Sequence, residues 1–294
     1  MAAPTVDRPE PIGAGRNATR VVDRVARAGA WVANRLLAAV FPGRCLGCGA
    51  PHAGSGPNLP PPAAAGFDLL LGRFLCPTCR RGCRPVTSPL CPRCGLMFIS
   101  RVGHDHLCSR CIRRAPAFTA ARAAGVYEGA LMQVIHLLKY GGKIQLARPL
   151  GRLLFDTFRD CGAMAGVDLV VPVPLHRRRF RQRGFNQAYL LVREWPRWSR
   201  SPAAGGRSVT VLRKALVRRR ATVPQTGLGR RQRQANLKNA FAPGPDAAVG
   251  QIRGRHVLLV DDVFTTGATV EACARVLLDA GAQAVTVLTV ARTL

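Results

Sequence analysis

Hydrophobic positions along the chain change regime near Phe118. From there to the C terminus, short apolar runs alternate with segments of helical spacing. "AFTAARAAGVYEG" reads as a strand and "ALMQVIHLLKY" as a helix with Leu131, Ile135 and Leu138 on one side. "VDLVVPVP", "SVTVLRK", "RHVLLV" and "AQAVTVLTV" read as further strands, and "VEACARVLLDA" as a helix between the last two. Each strand is apolar enough to be buried on both faces, as a parallel sheet between two layers of helices requires. The pattern predicts an α/β fold.

Ahead of Phe118 the apolar signal is weaker. Residues 1–18 carry Pro, Gly and charge without periodicity and are expected to be a disordered tail. "VVDRVARAGAWVANRLLAAVF" puts Val21, Val25, Ala28, Val32 and Leu36 on one side and predicts an amphipathic helix within 19–42. Asp23, Arg24, Arg27 and Arg35 interrupt it, so it suits neither a membrane span nor a secretory signal. Packing on the next domain is preferred to lying on a membrane surface. A cysteine-rich region follows over 43–115, broken by the Pro-, Gly- and Ala-rich insertion 50–66, and the α/β domain occupies 116–294. "SRSPAAGGRS" and "APGPDAAVG" read as surface loops.

Eight of the 11 cysteines form four C-x-x-C pairs: Cys45/Cys48, Cys76/Cys79, Cys91/Cys94 and Cys108/Cys111. That spacing indicates metal knuckles in a reducing compartment, hence a cytoplasmic protein, and not a secreted disulfide framework. Four thiolates around one zinc make a closed structural site with no open position for chemistry, so two structural zinc ions are expected. Sequential pairing, 45/48 with 76/79 and 91/94 with 108/111, is preferred, and a crossed arrangement stays open. Cys83, Cys161 and Cys273 fall outside the pattern as core or surface thiols, and His104 and His106 as exposed loop histidines. So small a region depends on its metal for folding. Chelation is expected to unfold it while sparing the α/β domain.

Charge adds a second theme. Of 44 basic residues only Lys139, Lys143, Lys214 and Lys238 are lysines, against 15 acidic residues. Part of that excess is the usage of a GC-rich genome. The stretch Arg177–Arg233 nevertheless holds 17 basic residues and only Glu194 on the acidic side, which predicts a polyanionic partner.

Against this background two adjacent carboxylates stand out in "VLLVDDVFTTGATV". The strand "HVLLV" would deliver Asp261 and Asp262 to the carboxyl edge of the sheet, where open α/β sheets bind ligands. Thr265, Thr266, Gly267, Ala268 and Thr269 then enter a helix, offering N–H groups and hydroxyls to a phosphate. Carboxylates beside a phosphate cradle suit a phosphorylated sugar, accepting from ribose hydroxyls and helping to hold a divalent metal. Neither G-x-x-x-x-G-K-[ST] nor G-x-G-x-x-G occurs, which argues against a P-loop or a dinucleotide fold. Solvated polar ends of a strand would be the plainer reading of the Asp pair.

"VLLVDDVFTTGATV" resembles the phosphoribosyl-pyrophosphate motif of type I phosphoribosyltransferases. "VVPVPLHRRRFRQRGFNQA", "LKYGGK", "QTGLGRRQRQANLKNAF" and "FPGRCLGCG" are similar to segments of the ComF family of competence-associated proteins, which carries a double zinc ribbon. The resemblance spans about residues 36–294. It implies a type I phosphoribosyltransferase fold: a parallel sheet with helices on both faces, a hood, and Mg²⁺ bound with phosphoribosyl pyrophosphate. By position it implies Asp261 and Asp262 for the ribose hydroxyls, Thr265 to Thr269 for the 5′-phosphate, and Arg178, Arg179 and Arg183 facing the pyrophosphate. Lys139, Gln225, Arg233 and Asn236 fall around the site, with Arg218, Arg219 and Arg220 on a mobile loop. The chemistry agrees, because guanidinium forks match phosphate oxygens and stabilise charge on a departing pyrophosphate. Phe185, Asn186 and Gln187 read equally well as packing and capping residues at a helix start.

Two functions remain open. One is a transferase moving a phosphoribosyl group to an unidentified acceptor with release of pyrophosphate. The other is a non-catalytic module binding single-stranded DNA in uptake or recombination, beside the DNA-uptake machinery. Only 17 aromatic residues are available for base stacking.

Overall fold

The computed structural model describes residues 43–52, 66–100, 102–200, 208–220, 239–248 and 250–294. The expected tail 1–18, the amphipathic helix within 19–42, most of the insertion 50–66, and Gln225, Arg233 and Asn236 lie outside the described residues. Two compact units are distinguished. The described part of the first, Met1–Arg44 with Pro51–Ala53, is an antiparallel bridge from Arg44 to Pro51. The second, Cys45–Ala50 with Gly54–Leu294, carries the sheet and the cysteines.

Its strands are β1 (Ala120–Val126), β2 (Leu169–Pro172), β3 (Thr210–Val211), β4 (Leu216–Arg218), β5 (Phe241–Pro243), β6 (His256–Phe264) and β7 (Ala284–Arg292). Its helices are α1 (Phe67–Leu71), α2 (Pro77–Arg81), α3 (Ser109–Arg113), α4 (Gly129–Tyr140), α5 (Ala147–Asp160), α6 (Arg177–Arg183), α7 (Gln187–Val192), α8 (Trp195–Ser199), α9 (Pro245–Ala248) and α10 (Ala268–Asp279). Five strands pair in the order β1-β7-β6-β2-β3, all parallel. β4 and β5 form a separate antiparallel pair that the hydrophobic pattern did not announce.

Side chains of β6 alternate between two cores. Val257 and Leu259 join Val270, Cys273, Ala274 and Leu277 of α10 on one face. Leu258 and Val260 join Leu131 and Ile135 of α4 and Leu150 and Leu154 of α5 on the other. Burying each such side chain contributes about 1.5–3 kcal/mol, which is why the sheet is sandwiched by helices. In α5, Gly151 lets the Leu191 carbonyl lie against the helix where a Cβ would collide with it.

The cysteines divide in the same way. Cys45, with Leu71 and Leu75, belongs to the core on the α4 and α5 face, whereas Cys91, Cys94, Cys108 and Cys111 belong to the core shared with α10. The knuckles therefore grip opposite faces of one sheet.

Candidate functional site: two carboxylates, a helix-start loop and two thiol clusters

The strand read as "RHVLLV" runs on to Phe264, so the two aspartates sit within β6, where Asp261 pairs in register with Thr289 of β7. They are not solvated strand ends: Asp262 is only 4% exposed. Because successive side chains of a strand point to opposite faces, the neighbours meet different surroundings. Asp262 faces α4, where Lys139 Nζ lies 2.7 Å from its Oδ1. Burial is the largest influence on Lys139 and disfavours its ammonium, but the charge and hydrogen bond of Asp262, with Asp261 and Tyr127 adding, together outweigh it and raise the lysine pKa. Asp261 faces Arg218 and the buried Cys273 of α10, whose thiol pKa is pushed up by burial and by Asp261. Its Oδ1 accepts the Asp262 N–H at 2.9 Å. Burial and the adjacent Asp262 raise its pKa to about 7, against the opposing pull of Lys139, that N–H and Arg218.

Asp262 Oδ2 is buried without a hydrogen-bond partner. A buried carboxylate oxygen left unmatched is costly, and it fits a group that donates to it: a ribose hydroxyl or a water on Mg²⁺. The donor set is all hard oxygen, as Mg²⁺ requires.

The loop after β6 closes on α10 at Gly267, whose φ of 76° lies in the left-handed region. A Cβ there would also come 2.6 Å from Phe264 Cζ, so only glycine fits both the backbone and the space. Thr266 Oγ1 accepts from the Ala268 N–H at 3.4 Å, and Thr265 and Thr269 flank it. The loop thus stands at the start of a 12-residue helix, where N–H groups and the helix dipole favour an anion.

Of the arginines after β2, Arg183 lies over the Tyr140 ring, 5.0 Å to its centroid, and donates to Gln187 Oε1 at 2.6 Å. This joins it to the C-terminal end of α4, next to Lys139. Arg179 is close enough to Arg218 to help lower its pKa, after burial. Arg178 is exposed in the first turn of α6, its backbone N–H on His176 Nδ1. Arg218, expected on a mobile loop, is instead in β4 with its guanidinium 5.3 Å from the Phe241 centroid; Arg219 and Arg220 follow it, exposed. Asn186 caps α7 through the Ala188 N–H, so its capping role is real.

Both thiol clusters form in the sequential arrangement: Cys45, Cys48, Cys76 and Cys79 in one, Cys91, Cys94, Cys108 and Cys111 in the other, with sulfurs within 4.8 Å of one another. Cys48 and Cys76 sulfurs are 3.8 Å apart, Cys94 and Cys108 sulfurs 3.7 Å. A tetrahedron with Zn–S bonds of about 2.3 Å has edges of about 3.8 Å, so the clusters are compatible with zinc ribbons. One thiol in each is already acidic. Burial opposes ionisation of Cys45, but N–H groups of Cys76, Cys48 and Gly47 lower its pKa to about 6. Those of Cys94, Cys108 and Arg93 likewise bring Cys91 to about 7. His106 stacks on Phe98 at 4.0 Å, away from the thiols.

The phosphoribosyl transferase domain family matches residues 207–293, the segment that contains β6, the loop and α10. The chain is 37% identical over 233 residues to the DNA utilization protein YhgH of Escherichia coli K12, covering 78% of this chain and 95% of that one. The chain belongs to the ComF family. This ComF-family chain is also 31% identical to competence protein F of Haemophilus influenzae, over 74% of this chain and 90% of the relative. To competence protein ComFC of Bacillus subtilis it is 26% identical, over 74% and 83%. Among the described residues no helix is long and apolar enough to cross a membrane.

Sequence reasoning missed the residues that join this site from afar. Tyr127, whose hydroxyl meets His136 Nε2 at 2.8 Å, follows β1 at the carboxyl edge, and its pKa is raised by burial with Asp262 contributing. Its place directly after a strand was the one available signal. Arg110 reaches the loop from the helix of the second thiol cluster, and Arg292, at the end of β7, lies between the Cys94 carbonyl and the Phe264 ring; nothing in their local sequence marks them.

Proposed function

We propose that this ComF-family chain binds phosphoribosyl pyrophosphate with Mg²⁺ and transfers the phosphoribosyl group to an acceptor, releasing pyrophosphate. The observation that carries the reading is Asp262: paired with Lys139 through Oδ1 and with Oδ2 unmatched, beside a loop at a helix start. Asp262 and Asp261 accept from the ribose hydroxyls. Thr265, Thr266, Gly267, Ala268 and Thr269 take the 5′-phosphate, and Arg178, Arg179 and Arg183 hold the pyrophosphate. Mg²⁺ supplies charge neutralisation on the leaving group. Two structural zinc ions fill the thiol clusters. The test is calorimetric titration of the metal-loaded protein with phosphoribosyl pyrophosphate and Mg²⁺, followed by a screen of nucleobases for pyrophosphate release. Absence of binding in wild type would defeat the reading.

A second reading has its own support in the relatives' names, which speak of DNA utilization and competence, and in the basic stretch Arg177–Arg233. There the same pocket and surface bind single-stranded DNA in uptake, without catalysis. Salt dependence separates the two: a DNA module loses affinity with a log-log slope of about −0.7 per neutralised phosphate, while one diphosphate gives a shallow slope.

A further inference from the structure

The helix that follows Cys108 of the second thiol cluster is bonded to the loop after β6. Arg110, in α3 one residue before Cys111, donates through Nη2 to the Thr266 carbonyl. Two residues before Phe118, Pro116 ends the knuckle; the adjacent Ala117 N–H bonds to Glu271 Oε2 in the first turn of α10 at 2.9 Å.

A second route runs through Arg292 at the end of β7. It is only 4% exposed, and its guanidinium donates to the Cys94 and Thr293 carbonyls. The groups that act on its charge are the thiols Cys94 and Cys91 and the neighbouring Arg110, with burial the largest influence. A buried guanidinium is expensive unless an anionic centre lies close. Cys91, Cys94, Cys108 and Cys111 as four thiolates on one divalent ion would carry two net negative charges and would supply that centre. The same guanidinium lies 5.2 Å from the centroid of Phe264, whose ring abuts Gly267 and meets Phe118 edge-on at 6.1 Å.

We propose that Arg110 and Arg292 are positioning residues through which the second thiol cluster, when it holds its metal, sets the conformation of the phosphate loop Thr265–Thr269. Two paths converge on that loop: from the knuckle helix to the Thr266 carbonyl, and from Cys94 through Arg292 and Phe264 to Gly267. Metal occupancy and ribose-phosphate affinity are then coupled, and coupling is reciprocal. The first cluster packs in the core on the opposite face of the sheet, against α4 and α5. The affinity part rests on the phosphoribosyl reading; the conformational part does not.

The experiment uses the full-length, metal-loaded protein. Arg110→Gln replaces the guanidinium by an amide too short to reach the Thr266 carbonyl and leaves all eight ligands in place, while Arg110→Lys keeps a donor of similar reach. Amide hydrogen exchange at Thr265–Thr269, titration with ribose 5-phosphate and the metal count per chain are read together. Arg110→Gln is expected to exchange about tenfold faster in the loop and to bind ribose 5-phosphate about tenfold more weakly, with both metals retained. Arg110→Lys is expected to stay near wild type. Unchanged loop exchange in Arg110→Gln overturns the proposal, and so does loss of a metal from it, because the arginine would then serve the cluster and not the loop. Cys108→Ser is expected to loosen the loop and Cys48→Ser to leave it unaltered; equal effects overturn the link to the second cluster. If Cys108→Ser does not fold, the Arg110 pair decides alone. If wild type ignores ribose 5-phosphate, the phosphoribosyl reading fails while the exchange data still decide the coupling.

Discussion

Lys139 and Asp262, 123 positions apart in the chain, meet at 2.7 Å with both side chains largely buried, and the second oxygen of Asp262 is left facing inward without a partner. Removing one member of such a pair strands the other charge. Lys139→Met is therefore expected to lower stability by about 3 kcal/mol, and adding Asp262→Asn should restore most of the loss. Urea unfolding of the two single variants and the double variant reads the coupling directly. Additive effects would mean that the pair is not formed in solution.

Asp261 keeps its proton to about pH 7, well above the range of an unfolded aspartate. Between about pH 4 and pH 7 the folded chain thus binds more protons than the unfolded one, so this group makes stability fall as pH rises through that window. A ligand that donates to the carboxylate, or brings a cation, must expel the proton. Affinity for phosphoribosyl pyrophosphate with Mg²⁺ is expected to rise from pH 6 to pH 8, by at most about tenfold per unit. Asp261→Asn should flatten both profiles. A pH-independent affinity in wild type would show that Asp261 does not face the ligand.

Native mass spectrometry is expected to find two zinc ions per chain. Because Cys91 and Cys94 share a core with Leu259 and Val287, and Cys45 shares one with Trp195, chelation should reach the sheet and not stop at the knuckles as the sequence suggested. Emission from buried Trp195 and its neighbour Trp198 should shift along with loss of the knuckle signals. A chelated protein with native tryptophan emission would instead favour separately folding ribbons.

The arginines following Ala215 divide by burial. Arg219 and Arg220 are exposed, and replacing both with Gln is expected to reduce the salt slope of single-stranded DNA binding by about 1.4, at about 0.7 per phosphate contact. Arg218→Gln should act on the sugar diphosphate instead, because that guanidinium faces Asp261. An unchanged slope in the Arg219 and Arg220 variant would remove these residues from any DNA path.

Local spacing settled a good deal in advance. The apolar runs became strands of a parallel sheet, since burial on both faces selects such runs whatever lies far away in the chain. Leu131, Ile135 and Leu138 became one side of α4 because helical periodicity is a property of consecutive residues. Gly267 could be read as the turn into a helix, and the C-x-x-C pairs as knuckles, because each needs only a few adjacent residues to state its geometry. Partnership was another matter. That Asp261 and Asp262 part company, one toward Arg218 and Cys273 and one toward Lys139, depends on how far β6 extends and which helices cover its two faces. That the thiol clusters lie on opposite faces, and that Arg110 reaches a carbonyl 156 positions away, depends on chain crossovers between the elements. Neither composition nor spacing encodes such distances: a side chain's polarity says that a partner is needed, and only packing of the whole sheet decides which one arrives.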